Sequence, residues 1–286
     1  MRKFFPSLNK YNKVTFCDNA AGSQIPIHVI KNLNNFLINN YVQPGFDNSF
    51  SKSINDTLEK INETTNIIMN NKNGKILYGS SCSQLTYNVA NSLNNYLKNK
   101  NGEIILTNFS HESITTPFER IANKHDISIK WWNLEDNYKI NYDKLINKIT
   151  DKTTLVVIPH VSNILGNIID IEFLSKQVKK KNYETKIFVD GVAFLPHSII
   201  DINNYNIDYY VISFYKFCGL RISALYTKDN TLYNLENQNH YFFDDLYLEN
   251  NNKKIEIGGI NYECATSIIG LREYLLESYN LFNNFN

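Results

Sequence analysis

Seven short apolar runs, each bounded by turn residues and separated by stretches of helical periodicity, constrain this chain most. They are residues 75–78, 103–107, 127–132, 155–158, 186–189, 209–212 and 222–226, and several read as buried strands with no polar face. Pro26 opens an amphipathic helix with Ile27, Ile30, Leu33 and Phe36 at helical spacing, and further helices are expected over residues 54–69, through Val89 and Leu93, near Leu145 and over 169–179. Repeated strand-helix order predicts an α/β fold with a mainly parallel sheet and right-handed crossovers.

Two of these runs deliver charges to their ends. Lys186-Ile187-Phe188-Val189 leads into Asp190, and Tyr209-Tyr210-Val211-Ile212 leads into Ser213 and Lys216. Ligands of open α/β sheets bind beyond the carboxyl ends of the strands, so this carboxylate and this amine are expected to face one cavity. An amine able to form a Schiff base, with an aspartate to keep a pyridine nitrogen protonated, suits pyridoxal 5'-phosphate. Taken singly, Asp190 reads as a helix cap and Lys216 as a surface charge.

Length and composition bound the alternatives. A chain of 286 residues with 43% hydrophobic content can bury one large core. The net charge of +1 gives no electrostatic reason to expect nucleic acid or an acidic membrane surface as partner. Four scattered cysteines without CxxC spacing argue against a structural metal site and against a disulfide framework. With no apolar run of signal-peptide or membrane-span length, a cytoplasmic protein is expected.

The segments carry a resemblance. Val189-Asp190-Gly191 and Ser213-Phe214-Tyr215-Lys216 with Gly219 resemble the aspartate and lysine segments of the class V aminotransferases, nearest to their cysteine desulfurase (NifS-like) branch. The likeness runs from about Phe16 to Leu276. It implies the large domain of fold-type I pyridoxal-phosphate enzymes: a mixed, mostly parallel seven-stranded sheet between helices, preceded by an N-terminal arm of about residues 1–25, in a homodimer. Lys216 is then the Schiff-base lysine and Asp190 the partner of the pyridine nitrogen.

Other roles follow from the same resemblance. Asn108-Phe109-Ser110-His111 places His111 as the residue stacked on the ring; its bland alternative is a polar cap. Pro159-His160-Val161-Ser162-Asn163-Ile164-Leu165-Gly166-Asn167 is the longest unbroken likeness, and gives Asn163 the cofactor's phenolic oxygen. Gly79-Ser80-Ser81-Cys82-Ser83-Gln84, a small polar turn before a helix, has the physical makings of a phosphate site. By resemblance Ser81, Cys82 and Ser83 hold the phosphate, Ser213 adds a hydroxyl, and the turn at Gly258 and Gly259 reaches a phosphate across the dimer. Asp18-Asn19-Ala20-Ala21-Gly22, read as a strand at Phe16-Cys17 breaking into a turn, lines the substrate side through Asn19, Ala20 and Ala21.

Departures from the pattern bear on the reaction. A glutamine usual after the aspartate is Ala193, the histidine usual before the lysine is Tyr215, and a usual threonine is Gly259. Relatives continue into a small C-terminal domain carrying the sulfur-accepting cysteine and a carboxylate-binding arginine; this domain is expected to be absent. None of the four cysteines aligns with that acceptor, which leaves a partner thiol, Cys218 or Cys264, while Arg221 is the candidate substrate clamp. Three functions stay open: L-cysteine desulfuration with sulfur passed to a thiol or an acceptor protein; another reaction on the same fold, such as selenocysteine cleavage, racemisation or β-elimination; and a non-catalytic binding or assembly role.

Overall fold

The computed structural model describes residues 2–39, 42–231, 235–240, 254–257 and 260–279. A short N-terminal arm comes first, with helix α1 (Pro6–Lys10). Arg2 gathers it: its Nη2 donates to the carbonyls of Leu8, Tyr11 and Val14 at 2.8, 2.9 and 3.0 Å. Helix α2 (Ile27–Asn39) starts directly after Pro26, and α3 (Ser49–Met69) starts five residues earlier than the periodicity suggests. The reason is the cap: Asn48 accepts the Ser51 amide, which extends the helix through a polar first turn that apolar spacing cannot reveal.

From there strand and helix alternate. Strand β1 (Lys75–Gly79) leads to α4 (Cys82–Ser92) and α5 (Asn94–Lys100), and β2 (Glu103–Thr107) to α6 (Glu112–Lys124), which contains Pro117. Then come β3 (Ser128–Trp132), α7 (Tyr142–Ile146), β4 (Thr153–Pro159), α8 (Ile171–Lys181), β5 (Lys186–Asp190), β6 (Tyr209–Ser213) and β7 (Ser223–Thr227). Helices α9 (Tyr262–Ala265) and α10 (Ser267–Tyr279) close the described chain.

The seven strands form one sheet in the order β1-β7-β6-β5-β4-β2-β3, with β7 antiparallel to both neighbours and the other pairs parallel. Mixed, mostly parallel and seven-stranded, it is the expected sheet. Strand β4 is buried along its whole length. Alternate residues of the central strands feed opposite faces, Val156, Ile158, Val189, Tyr210 and Ile212 into one apolar cluster and Leu155, Val157, Phe188, Tyr209 and Val211 into the other. Helices α4 and α6 cover the second face through Leu85, Val89, Ile114 and Phe118, while α3, α8 and α10 cover the first through Ile61, Leu174 and Leu271. Sheets buried on both faces read as continuous apolar runs, which is why these strands were legible.

One expectation fails. Phe16-Cys17 belongs to no strand of the described residues, and both residues are exposed. Its apolar character serves the lip of a cleft instead of a ladder.

Candidate active site

Register brings the strand tips into line. Pro159 lies opposite Asp190, so β4 and β5 end together, while Asp190 lies opposite Val211 and β6 runs two residues further to Ser213. On the other side Gly79 faces Ser223, and Ser223 faces Ser213. The β1–α4 turn therefore stands two strand spacings, about 10 Å, from the β6 tip, and the Ser223 hydroxyl donates to Ser213 Oγ at 2.8 Å. Ser81 caps α4, accepting the Gln84 amide, and leaves the first amides of α4 without intrahelical acceptors beside Cys82 and Ser83. Gly258 and Gly259 lie outside the described residues. Just before them Ile255 accepts from Asn88 Nδ2 at 2.8 Å and Glu256 from the Tyr78 amide at 2.9 Å, which anchors that segment to β1 and α4.

Asp190 is 8% exposed, and among the described residues its carboxylate takes one hydrogen bond, from the Val192 amide at 2.9 Å. Burial raises its pKa, opposed by that amide and by the positive fields of His111 and Lys216. His160, which the sequence reading passed over, supports this tip from below. Its amide donates to the Asp190 carbonyl at 2.7 Å, its Nδ1 meets the Tyr210 hydroxyl at 2.7 Å, and its ring stacks on Phe194 with centroids 3.5 Å apart. Burial drives its pKa down to about 3, so the imidazole is neutral. Gly191 is demanded by the same packing, since a Cβ there would lie 2.1 Å from the Tyr210 ring.

Beyond β6 a single 3-10 turn, Phe214–Lys216, presents the lysine. Lys216 lines a half-open cleft of about 1360 Å³. His111, Asn163, Asn19 and Ala20 line the same cleft, together with Tyr215, Cys218 and Cys17. Among the described lining residues Arg2 and Lys216 are cationic and none is acidic. Asp190, Ser81, Cys82, Ser83, Ser213 and Ala21 are not on its wall. Asp190 and Cys82 are nonetheless near Lys216, for the charges of Asp190 and Lys216 both act on the Cys82 thiol. Arg221 is exposed, also off the wall, with its guanidinium 5.4 Å from the centre of the Tyr215 ring.

His111 lines the cleft and also caps α6, its Nδ1 accepting the Ser113 amide at 3.1 Å. Asn163 is exposed in a tight loop closed by the Val161–Ile168 bridge, and Gly166 takes φ +71° there. Three of the thiols are held protonated. Burial raises the pKa of Cys82, Cys218 and Cys264, and only Cys218 of these three reaches the cleft.

Comparison with known proteins adds the following. Residues 15–275 match the family described as Aminotransferase class-V. The aminotransferase-like protein FGM3 of Gibberella zeae is 33% identical over 97% of this chain and 68% of its own length. A probable cysteine desulfurase of Borreliella burgdorferi is 30% identical, over 100% of this chain and 71% of its own. Among solved structures, a cysteine desulfurase from Thermococcus onnurineus NA1 in its apo form superposes with a TM-score of 0.85 at 22% identity, covering 96% of this chain and 70% of that one. The cysteine desulfurase CsdA of Escherichia coli superposes with a TM-score of 0.81 at 20% identity, covering 97% and 71%. These two structures share the fold of this chain.

Proposed function

The chain belongs to the class V aminotransferase family, and from that membership we propose that it is a pyridoxal-5'-phosphate enzyme of cysteine desulfurase type. The reaction is conversion of L-cysteine to L-alanine: the C–S bond breaks, Cβ gains a proton, and an S–S bond forms on an acceptor thiol. The observation that carries this reading is a buried carboxylate that takes one hydrogen bond among the described residues and feels the charge of a cleft-lining lysine. Such a carboxylate calls for a cationic N–H partner, and a protonated pyridine nitrogen supplies one.

Bound there, the cofactor supplies an electron sink for the substrate's α-carbon. Lys216 would hold it covalently and would be the base that moves the substrate's α-proton. Asp190 would pair with the ring nitrogen, His111 would cover the ring, and Asn163 would donate to the phenolic oxygen. The first amides of α4 at Cys82 and Ser83, with the hydroxyls of Ser81 and Ser213, take the phosphate. Asn19 and Ala20 line the substrate side, and the acid-free wall suits a substrate carboxylate. Arg221, off the wall and against Tyr215, is a weaker clamp than the sequence suggested. The protonated state of Cys218 and Cys264 favours a separate thiol or partner protein as sulfur acceptor. The four cysteines are free, in keeping with a reducing, cytoplasmic setting, and no helix among the described residues is long and apolar enough to cross a membrane.

A second reading, the same cofactor acting on a different amino acid, is favoured by the 33% identical relative being named an aminotransferase-like protein. One experiment addresses cofactor and substrate together. Wild type and Lys216→Ala are incubated with pyridoxal phosphate, their visible absorbance recorded, and the mixtures reduced with borohydride. A yellow band trapped covalently in wild type alone is expected. A panel of amino acids then separates the reactions: cysteine should yield alanine, with sulfide released under reductant. No lysine-dependent band overturns the proposal.

A further inference from the structure

Lysine presents its amine on a flexible four-carbon stem, so aiming it depends on how firmly its backbone is held. On its inner side the Lys216 turn is closed by the Phe214 carbonyl, which accepts the amides of Phe217 and Gly219 at 2.8 and 2.9 Å. Its outer side offers the Tyr215 carbonyl and the Cys218 amide. One residue satisfies both. The Ser23 hydroxyl donates to the Tyr215 carbonyl at 2.9 Å and accepts from the Cys218 amide at 2.6 Å, and the Ser23 amide donates to the same Tyr215 carbonyl at 2.9 Å.

We infer that Ser23 is the positioning residue for Lys216, clamping the lysine turn on both sides of the amine and fixing it against the cleft-lining segment of Asn19, Ala20 and Gln24. The backbone of Cys218 shows that the turn needs such a clamp. It stands at φ +60°, in the left-handed region that a non-glycine residue holds only when its surroundings over-determine it. Without the Ser23 hydroxyl the Cys218 amide loses its acceptor, the Tyr215 carbonyl keeps one donor of two, and the turn is free to swing. Tyr215 itself is caught in the arrangement, because its ring packs 3.5 Å from where a Cβ on Gly22 would lie.

This inference deepens the role given above to Lys216, and its test separates the two. Ser23→Thr keeps the hydroxyl, while Ser23→Val has the same shape without it. In cofactor-free protein, acetylation of Lys216 by N-hydroxysuccinimidyl acetate is followed by peptide mass spectrometry, with the exposed Lys176 as internal standard. The valine variant should label Lys216 about fivefold faster, the scale of one net hydrogen bond, and the threonine variant should match wild type. Pyridoxal phosphate with borohydride forms a second arm, in which the valine variant should need more cofactor for half-trapping at Lys216. Altered labelling in a protein that traps no cofactor keeps the clamp and removes the cofactor reading; unaltered labelling in the valine variant overturns the clamp. Hydrogen exchange of the wild-type Cys218 amide decides the matter if the variant does not fold, since an amide bonded at 2.6 Å must be protected, and rapid exchange in the folded protein overturns the inference.

Discussion

At the scale of single residues, Asp190 shows the tension between stability and a site. Its carboxyl is buried with one amide for company, so ionising it costs more in the folded chain than in the unfolded one. The sign follows from linkage. A carboxyl whose folded pKa lies above its ordinary 3.8 carries no penalty below that value, where both states are protonated, and loses stability as pH rises through the folded pKa. Asp190→Asn keeps the shape and removes the charge. Thermal melts of the cofactor-free protein should therefore show the variant more stable at pH 7 by roughly 1 kcal/mol, the scale of relieving one incompletely paired buried charge. The gap should close as pH falls toward 4. The same variant should trap less pyridoxal phosphate, because an amide cannot hold a pyridine nitrogen protonated. A variant less stable than wild type at neutral pH would show that the carboxylate is well paired in the cofactor-free protein, and would take away the main support for a cationic ligand.

At the scale of elements, legibility followed burial. The seven strands were readable because both faces of the sheet are covered, which leaves runs such as Leu155-Val156-Val157-Ile158 without a polar interruption. Lys216 and Asp190 were readable because each ends such a run. What the sequence hid depends on partners remote in the chain: the His160 support, the Ser23 clamp, the unpaired Phe16-Cys17 segment, and α10, whose packing rests on a close approach. Helix α10 crosses α2 at Gly270, where a Cβ would fall 2.6 Å from the Val29 Cα and 2.7 Å from the His28 carbonyl oxygen. Both obstacles are backbone, so neither can rotate away. Gly270→Ala gains about 1 kcal/mol of helix propensity and forces the helices apart, which costs about 1–3 kcal/mol and occasionally more. Urea denaturation should show a net loss with a lower midpoint and an unchanged slope. A higher midpoint would mean that α10 has slack to move away from α2.

At the scale of the whole molecule, the apolar surface between α2 and α3 calls for a partner. Ile38 is 79% exposed, Phe46 62% and Phe50 60%, with Leu37 and Val42 close to them in the chain. The loop carrying Phe46 is not loose: its amide donates to Ser51 Oγ at 2.9 Å, and Ser51 Oγ donates to the Gln43 carbonyl at 3.0 Å. Large apolar side chains exposed within one short stretch of chain suit an interaction site. A second copy of the chain suits it, since a two-fold interface sets a patch against itself and a net charge of +1 offers little repulsion. Sedimentation velocity at micromolar concentration should therefore give twice the chain mass. The double substitution Phe46→Ser and Phe50→Ser should shift the protein to monomer with an unchanged far-ultraviolet circular dichroism spectrum, because exposed rings contribute little to the fold itself. A wild-type monomer at every concentration would discard the dimer, and a dimer indifferent to both serines would move the interface elsewhere, the apolar cleft mouth around Ile164, Ile168 and Ile199 being the next surface to test.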